Sequence, residues 1–185
     1  MTDKRTDIIN AAMRVFMRYG MRRSTMGDIA TEAEVSRPTL YGQFKNKDDV
    51  IHAAIMLQNE NIIAKIKAEW DGAATLSDKL EIYFQHAVVY FYDLFQRWPD
   101  ATDLTETPAP STRDALAKCY DNYDDLLEQL FAPFQSDLAQ PARDLAMFVR
   151  ITSASFKTTA TSRTDLDNML NMLRTMTLAV LPNAV

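Results

Sequence analysis

An all-α fold is predicted by three features of the sequence. Apolar residues recur every three or four positions over most of its length, capping signals punctuate it at intervals, and no segment alternates apolar and polar residues as a half-buried strand does. No internal repeat or low-complexity tract breaks the pattern. The 185 residues suffice for one large or two small domains with a real core. The expected organisation is a small N-terminal domain over residues 1–47 and a larger helical one over 48–185.

The elements run in order from the N-terminus. Ile8, Ala12, Val15, Phe16 and Tyr19 share one face of a first helix, and Gly20 suits the position after its end, where a positive φ is needed. Thr25 with Asp28 three residues on reads as a capping box, and "MGDIATEAEV" leaves room only for a short second helix. Ser36 is the next N-cap, Pro38 falls in a first turn, and the third helix is expected over Arg37 to Phe44. As a non-glycine residue in the turn before that helix, Glu34 is expected to keep the turn out of positive φ. Asn46 with Asp49 starts a long helix whose apolar positions run from Val50 to Ile66, ending at Trp70 with Gly72 beyond. Later helices are predicted from Thr75 with Asp78, Ser111 with Asp114, Pro141, and Thr164 with Asp167. The segment "TLSDKLEIYFQHAVVYFYDLFQRW" should stop at Pro99, and "DATDLTETPAP" should be a loop or one loose turn.

Charge and composition narrow the function. The first fifty residues hold nine Lys/Arg against seven Asp/Glu, and the remainder eleven against eighteen, so the ends carry +2 and −7. A polyanion should meet the N-terminal end. The opening "MTDKRTDIIN" has no apolar stretch behind its charges, and no run of about 18 uncharged apolar residues occurs, so a cytoplasmic protein is expected. One cysteine, Cys119, excludes an internal disulfide, and His52 and His86 do not make a Cys/His metal cage with it. Lys118 favours a Cys119 thiolate only modestly, so an inert packing residue is the expected reading and a redox sensor the lesser one. No nucleophile elbow, phosphate-binding glycine loop, HExxH pair or paired catalytic carboxylate is present, so neither an enzyme nor a cofactor is expected.

Three short helices, the last two joined by a brief turn, form the helix-turn-helix arrangement whose final helix enters the DNA major groove. The segment "SRPTLYGQFKNKDDV" suits that use. Arg37 can pair with guanine O6/N7, Gln43 with adenine N6/N7, and Thr39 can offer its hydroxyl or put its methyl against thymine. Ser36, Tyr41 and Lys47 suit phosphates, assisted by the N-terminus of the long helix. Thr25 at the second helix's start and Pro38 at the third's complete the candidate DNA-facing set. Gly42 weakens a helix by about 1 kcal/mol relative to alanine, which points to a close backbone approach to DNA.

Residues 4–50 resemble the DNA-binding domain of the tetracycline-repressor (TetR) family. The pattern of an apolar helix ending in Phe-x-x-x-Gly, then Thr-x-x-x-Ile-Ala, then Val-Ser-x-x-Thr-Leu-Tyr-x-x-Phe-x-x-Lys is met in "IINAAMRVFMRYG" and "STMGDIATEAEVSRPTLYGQFKNKDDV". Glu34 departs from it, standing where the family usually has glycine. Gly42 and Gln43 occupy variable positions, so no target sequence carries over. The resemblance implies a second helical domain that dimerises through its last two helices and holds a ligand pocket among its middle ones.

The residues of that region allow two readings. Thr75 to Trp98 is apolar nearly all round, as a central helix is. Tyr83, His86, Tyr90 and Phe91, with Tyr120, Tyr123 and Phe148 facing them, either line an aromatic pocket for an apolar or aromatic effector or are plain core. His86 is either a polar anchor for that effector or a satisfied histidine. Asp121, Asp124, Asp125 and Glu128 read best as a solvated helix face. Small residues in "RITSASFKTTATS", followed by Leu166, Met169, Leu170, Met172, Leu173, Met176 and Val180, predict a two-fold bundle over about 140–182. The resulting expectation is a homodimeric regulator, most readily a repressor released from a palindromic operator by a small molecule. The alternative is a DNA-binding or partner-binding helical protein without small-molecule control.

Overall fold

The structure, a computed structural model, describes residues 3–97 and 109–181. Trp98, Pro99 and most of the expected loop at 100–110 lie outside those residues. The helices are α1 (Lys4–Tyr19), α2 (Met26–Glu32), α3 (Arg37–Gln43), α4 (Lys47–Trp70), α5 (Leu76–Phe84), α6 (Tyr90–Arg97), α7 (Pro110–Phe131), α8 (Ala142–Thr159) and α9 (Arg163–Ala179). A π-helical turn, Gln85–Val89, joins α5 to α6, and a 3₁₀ segment, Ala132–Asp137, comes after α7. Among the described residues no helix is long and apolar enough to cross a membrane.

Local chemistry sets most boundaries. Thr25 and Thr75 each accept from the backbone N–H three residues on while Asp28 and Asp78 accept from the cap's own N–H, two complete capping boxes. Asn46 Oδ1 accepts from Asp49 N at 2.8 Å and opens α4. Gly20, with φ 77°, closes α1. Three starts differ from expectation. Helix α7 begins at Pro110, which puts Ser111 inside its first turn. Pro141 precedes α8 instead of lying within it. Helix α9 is capped by Ser162, whose Oγ accepts from Asp165 N at 3.1 Å, and not by Thr164. The sequence holds two overlapping Ser/Thr-x-x-Asp registers here. The first is used, and Asp167 instead accepts from Arg163 Nε at 2.9 Å.

The chain divides into two compact units, Met1–Asn59 with Phe95–Lys118, and Glu60–Leu94 with Cys119–Val185. The first is built on Ile8, Ala12, Val15, Ile29, Leu40, Phe44 and Val50, all buried. Arg14 and Arg18 meet Glu32 at 2.7 and 3.2 Å across α1 and α2. In the second unit α5 and the π turn pack against α8 and α9, with Ile66, Leu80, Phe84, Leu127, Val149 and Leu166 in the core. Trp70 Nε1 donates to Lys79 O at 2.7 Å and ties the end of α4 to α5.

Two expectations are corrected here. Asp124 is not part of a solvated face: it is buried and accepts from Arg150 Nε at 2.6 Å, while Asp125 and Glu128 both pair with Arg143. Helix α7 turns Tyr123, Leu126 and Leu127 inward, and Asp124 lies beside them on the same arc. The turn before α3 does adopt a left-handed conformation, with Glu34 at φ 53°. The hydrogen bonds Ala33 N to Ile29 O and Val35 N to Ala30 O fix that geometry whatever the side chain.

A left-handed conformation costs an L-residue about 1–2 kcal/mol, part of which glycine returns as backbone entropy. Glu34→Gly is therefore expected to stabilise the first unit by roughly 0.5–1 kcal/mol, seen as a higher Tm in a circular-dichroism melt. A lower Tm would show that the Glu34 side chain contributes more than its backbone costs.

Candidate nucleic-acid interface

Helix α3 is anchored by two residues one turn apart. Leu40 is 0% exposed and Phe44, its C-cap, is likewise buried, so the opposite face must look outward. Pro38, Tyr41 and Gly42, with the half-buried Thr39, lie on the side away from Leu40; Ser36, Arg37 and Gln43 are exposed at its flanks, and Tyr41 is 53% exposed. Of the α3 residues expected to face DNA, all but the half-buried Thr39 are exposed.

Several of these side chains are already held. Ser36 Oγ accepts from Thr39 N at 3.2 Å and lies 2.8 Å from Thr39 Oγ1, so the cap and the neighbouring hydroxyl form one small network. Thr25 sits at the α2 N-terminus, its hydroxyl bonded to Asp28 Oδ2 at 2.8 Å. Hydrogen bonds from Thr25 hold the Asp28 carboxyl below the usual range. The Arg37 guanidinium folds against α2, where a Cβ on Gly27 would come 2.9 Å from Nη2. A Cβ on Gly42 would meet nothing within 4 Å. The domain's own packing therefore gives no reason for glycine at that position.

Lys47 does not present a free charge. Its Nζ donates to Met21 O at 2.8 Å, Ser24 O at 3.0 Å and Arg22 O at 3.2 Å. All three ammonium hydrogens are spent on carbonyls of the chain between α1 and α2. It clamps that connection to the start of α4, and the phosphate role expected from its position does not match this geometry. Sequence reasoning also missed Arg5. Its Nη1 donates to Gln43 O at 2.9 Å and its guanidinium lies 4.3 Å from the Phe44 ring centre, so α1 holds the C-terminal end of α3. The available signal was a cation able to reach the negative end of a short helix. Lys45, exposed directly after α3, was missed too.

The candidate effector residues separate into groups. Tyr83 and Tyr123 are buried and meet edge to face at 6.0 Å, and burial pushes the Tyr83 phenol far above its ordinary range. Tyr90 and Phe91 meet edge to face at 5.2 Å, with Tyr90 exposed. Tyr120 lies at the surface under the Arg150 guanidinium, 5.0 Å from its ring centre. His86 Nε2 sits 3.0 Å from Glu69 Oε2, so its anchoring partner is within the chain. That contact holds the Glu69 carboxyl below the usual range. Phe148 is not brought to the others: at 57% exposed it lies with Met147 and Ile151 on the outer face of α8, because Ala146 and Val149 take the inner one. Cys119 is buried, and burial, then the Glu60 charge, push its thiol up to about 11. A thiol so protonated is a poor redox sensor.

Residues 8–54 match the sequence model of the bacterial regulatory proteins of the tetR family. A nicotine-responsive transcriptional repressor, HdnoR of Paenarthrobacter nicotinovorans, is 32% identical over 71 residues, 38% of this chain and 37% of that protein. The transcriptional regulator TtgR of Pseudomonas putida is 40% identical over 53 residues, 29% of this chain and 25% of that protein. The matches thus span well under half of these relatives' lengths. Solved structures resemble the chain almost end to end. Escherichia coli NemR in its reduced form has a TM-score of 0.74 at 14% identity, covering 94% of this chain and 96% of that one. The transcriptional regulator FadR of Bacillus subtilis in complex with stearoyl-CoA has 0.66 at 18%, covering 95% and 98%. At these identities the likeness is one of fold.

The geometry at Lys47 makes a direct prediction. Lys47→Met should lower the Tm, by about 1–3 kcal/mol of stability for charge-assisted bonds to partly buried carbonyls, and should leave the salt dependence of DNA binding unchanged. An unaltered Tm with a salt slope reduced by about one would return Lys47 to the phosphate contacts.

Proposed function

We propose, from the match of residues 8–54 to the tetR family of bacterial regulatory proteins, that the chain is a homodimeric transcriptional repressor, released from a palindromic operator by an apolar or aromatic small molecule. The observation that carries this reading is the anchoring of α3, where Leu40 and Phe44 take the core and Arg37, Tyr41, Gly42 and Gln43 are exposed. Arg37 and Gln43 serve as base readers and Tyr41 as a phosphate contact, with Lys45 replacing Lys47 as the cation beside it. In functional terms residues 1–47 read DNA, and 48–185 dimerise and take the effector.

One seven-residue helix contacts few base pairs, and a two-fold partner doubles them at half-sites about 34–36 Å apart. An exposed apolar row supports a second copy as that partner: Met147, Phe148 and Ile151 on α8, and Met172, Met176 and Val180 along and just after α9. The buried Ala142, Ala146, Val149 and Ser153 on α8, and Leu166, Leu170 and Leu173 on α9, fill the other faces, so this row has no use inside one chain. Phe148 belongs to it in this reading, which leaves Tyr83, Tyr90, Phe91 and Tyr123 as the effector-facing aromatics. Helix α4 begins at Lys47, just after α3 ends at Gln43, and runs unbroken to Trp70. A ligand that displaces α4 therefore moves both reading helices. Full turnover of operator occupancy from 1:99 to 99:1 requires the ligand to prefer the released state by about 5.5 kcal/mol. The FadR structure containing stearoyl-CoA is consistent with such a fold admitting an acyl ligand.

Gly42 provides the experiment. Gly42→Ala adds a methyl to open space and improves helix propensity, so the Tm should rise by up to about 1 kcal/mol of stability, while operator affinity measured by fluorescence anisotropy should fall. The two effects moving in opposite directions would place the α3 backbone against DNA. Unchanged affinity would take α3 out of the groove.

A further inference from the structure

The inner side of α8 carries two cations, Arg150 and Lys157, seven residues apart, close to two helical turns, and therefore on one face. Arg150 is answered. Its Nε donates to Asp124 at 2.6 Å, and that carboxylate is 4% exposed. Ser153, buried between the two positions, donates its hydroxyl to Arg150 O at 3.2 Å. Lys157 is not answered in the same way. Its ammonium lies 5.3 Å from the ring centre of Phe91, and among the described residues no carboxylate forms an ion pair with it. The acidic groups of the neighbouring helices have other partners. Asp93, two residues beyond Phe91, pairs with Arg163 at 3.3 Å, and Glu81 pairs with Arg174 at 3.2 Å. Burial, helped by the Arg150 charge, lowers the Lys157 ammonium to about 8.

The element facing α8 is irregular at this point. The π turn Gln85–Val89, against which α8 packs, comes directly before Tyr90 and Phe91. A π turn inserts one residue into the α-helical register and rotates the residues after it by about 100°, and such turns collect at functional sites. Here it sets the Tyr90 and Phe91 rings edge to face, with Phe91 under the lysine.

We propose that Lys157 is the anchor for an acidic group on the effector, which makes the ligand an amphipathic organic anion whose apolar or aromatic body lies on Phe91 and Tyr90. The inference rests on the effector-site reading above and adds the ligand's charge to it. An arriving anion supplies the charge-assisted hydrogen bond that the chain does not, and favours the charged state that burial disfavours. A neutral ligand of the same shape gains neither.

The test uses two fluorescent probes with the same ring system, 8-anilinonaphthalene-1-sulfonate and the neutral N-phenyl-1-naphthylamine, titrated into the full chain. The sulfonate is expected to bind roughly tenfold or more tighter. Lys157→Met, which keeps the side chain's length and packing, should remove that preference while leaving the neutral probe's affinity unchanged, and Lys157→Arg should retain it. Equal affinities in the unaltered chain, or a preference that survives Lys157→Met, would overturn the anion anchor and leave the effector site standing. Binding of neither probe would overturn both.

Discussion

Everything the first unit can do depends on burying Leu40 and Phe44. A seven-residue helix has no stability of its own in water, since nucleation is unfavourable and isolated helices shorter than about 12–15 residues are marginal. Those two side chains hold α3 in the unit's core, and its ends are secured by unlike devices. Ser36 and Pro38 organise the start, while Arg5 takes the Gln43 carbonyl at the finish. Lys47 then fixes the α1–α2 connection to the first turn of α4. Because the inward work is done by two apolar residues, the start by Ser36 and Pro38 and the finish by Arg5, the remaining exposed residues Tyr41, Gly42 and Gln43 carry little structural duty. They are free to be chosen for a target.

The second unit shows the opposite economy. Arg150 and Asp124 are both largely withdrawn from water, and an ion pair so placed gains little net stability over apolar residues of the same size. Losing one partner is a different matter, at about 3–5 kcal/mol for an uncompensated buried charge. The pair, with Ser153 and Tyr83 beside it, therefore fixes the rotation of α8 against its neighbours more than it strengthens the fold. A fixed α8 presents Lys157 to Phe91 on one side and the Met147, Phe148 and Ile151 row on the other. Inner chemistry and outer surface are thereby set by one helix.

Much of this is legible in the sequence where the determinants are local. Thr25 with Asp28, Thr75 with Asp78, and Asn46 with Asp49 each announce a helix start, because the cap and its partner lie three residues apart and need nothing from the rest of the chain. The family pattern in residues 4–50 is equally plain. The features that stay hidden depend on distant partners. Thr164 and Ser162 offer equivalent registers, and nothing local distinguishes the one the helix uses, Ser162. Asp124 sits among acidic residues in the chain, and nothing nearby reveals the arginine 26 residues away that makes its burial tolerable. The π turn leaves no mark on apolar periodicity, since Ala87, Val88 and Val89 are consecutive apolar residues that suit either register. Lys47 matches a phosphate-binding position, and its three carbonyl partners come from a connection more than twenty residues earlier.

The central claim is that two copies of α3, related by a two-fold axis, read DNA. The most direct measurement is to incubate the purified chain with a pool of random duplexes at near-physiological salt, recover the bound fraction and sequence it. The account predicts enrichment of an inverted repeat whose half-sites lie about 34–36 Å apart, or a whole number of helical turns more. Enrichment of isolated half-sites would contradict the dimer, and a recovered pool indistinguishable from the input would contradict the reading of α3 itself.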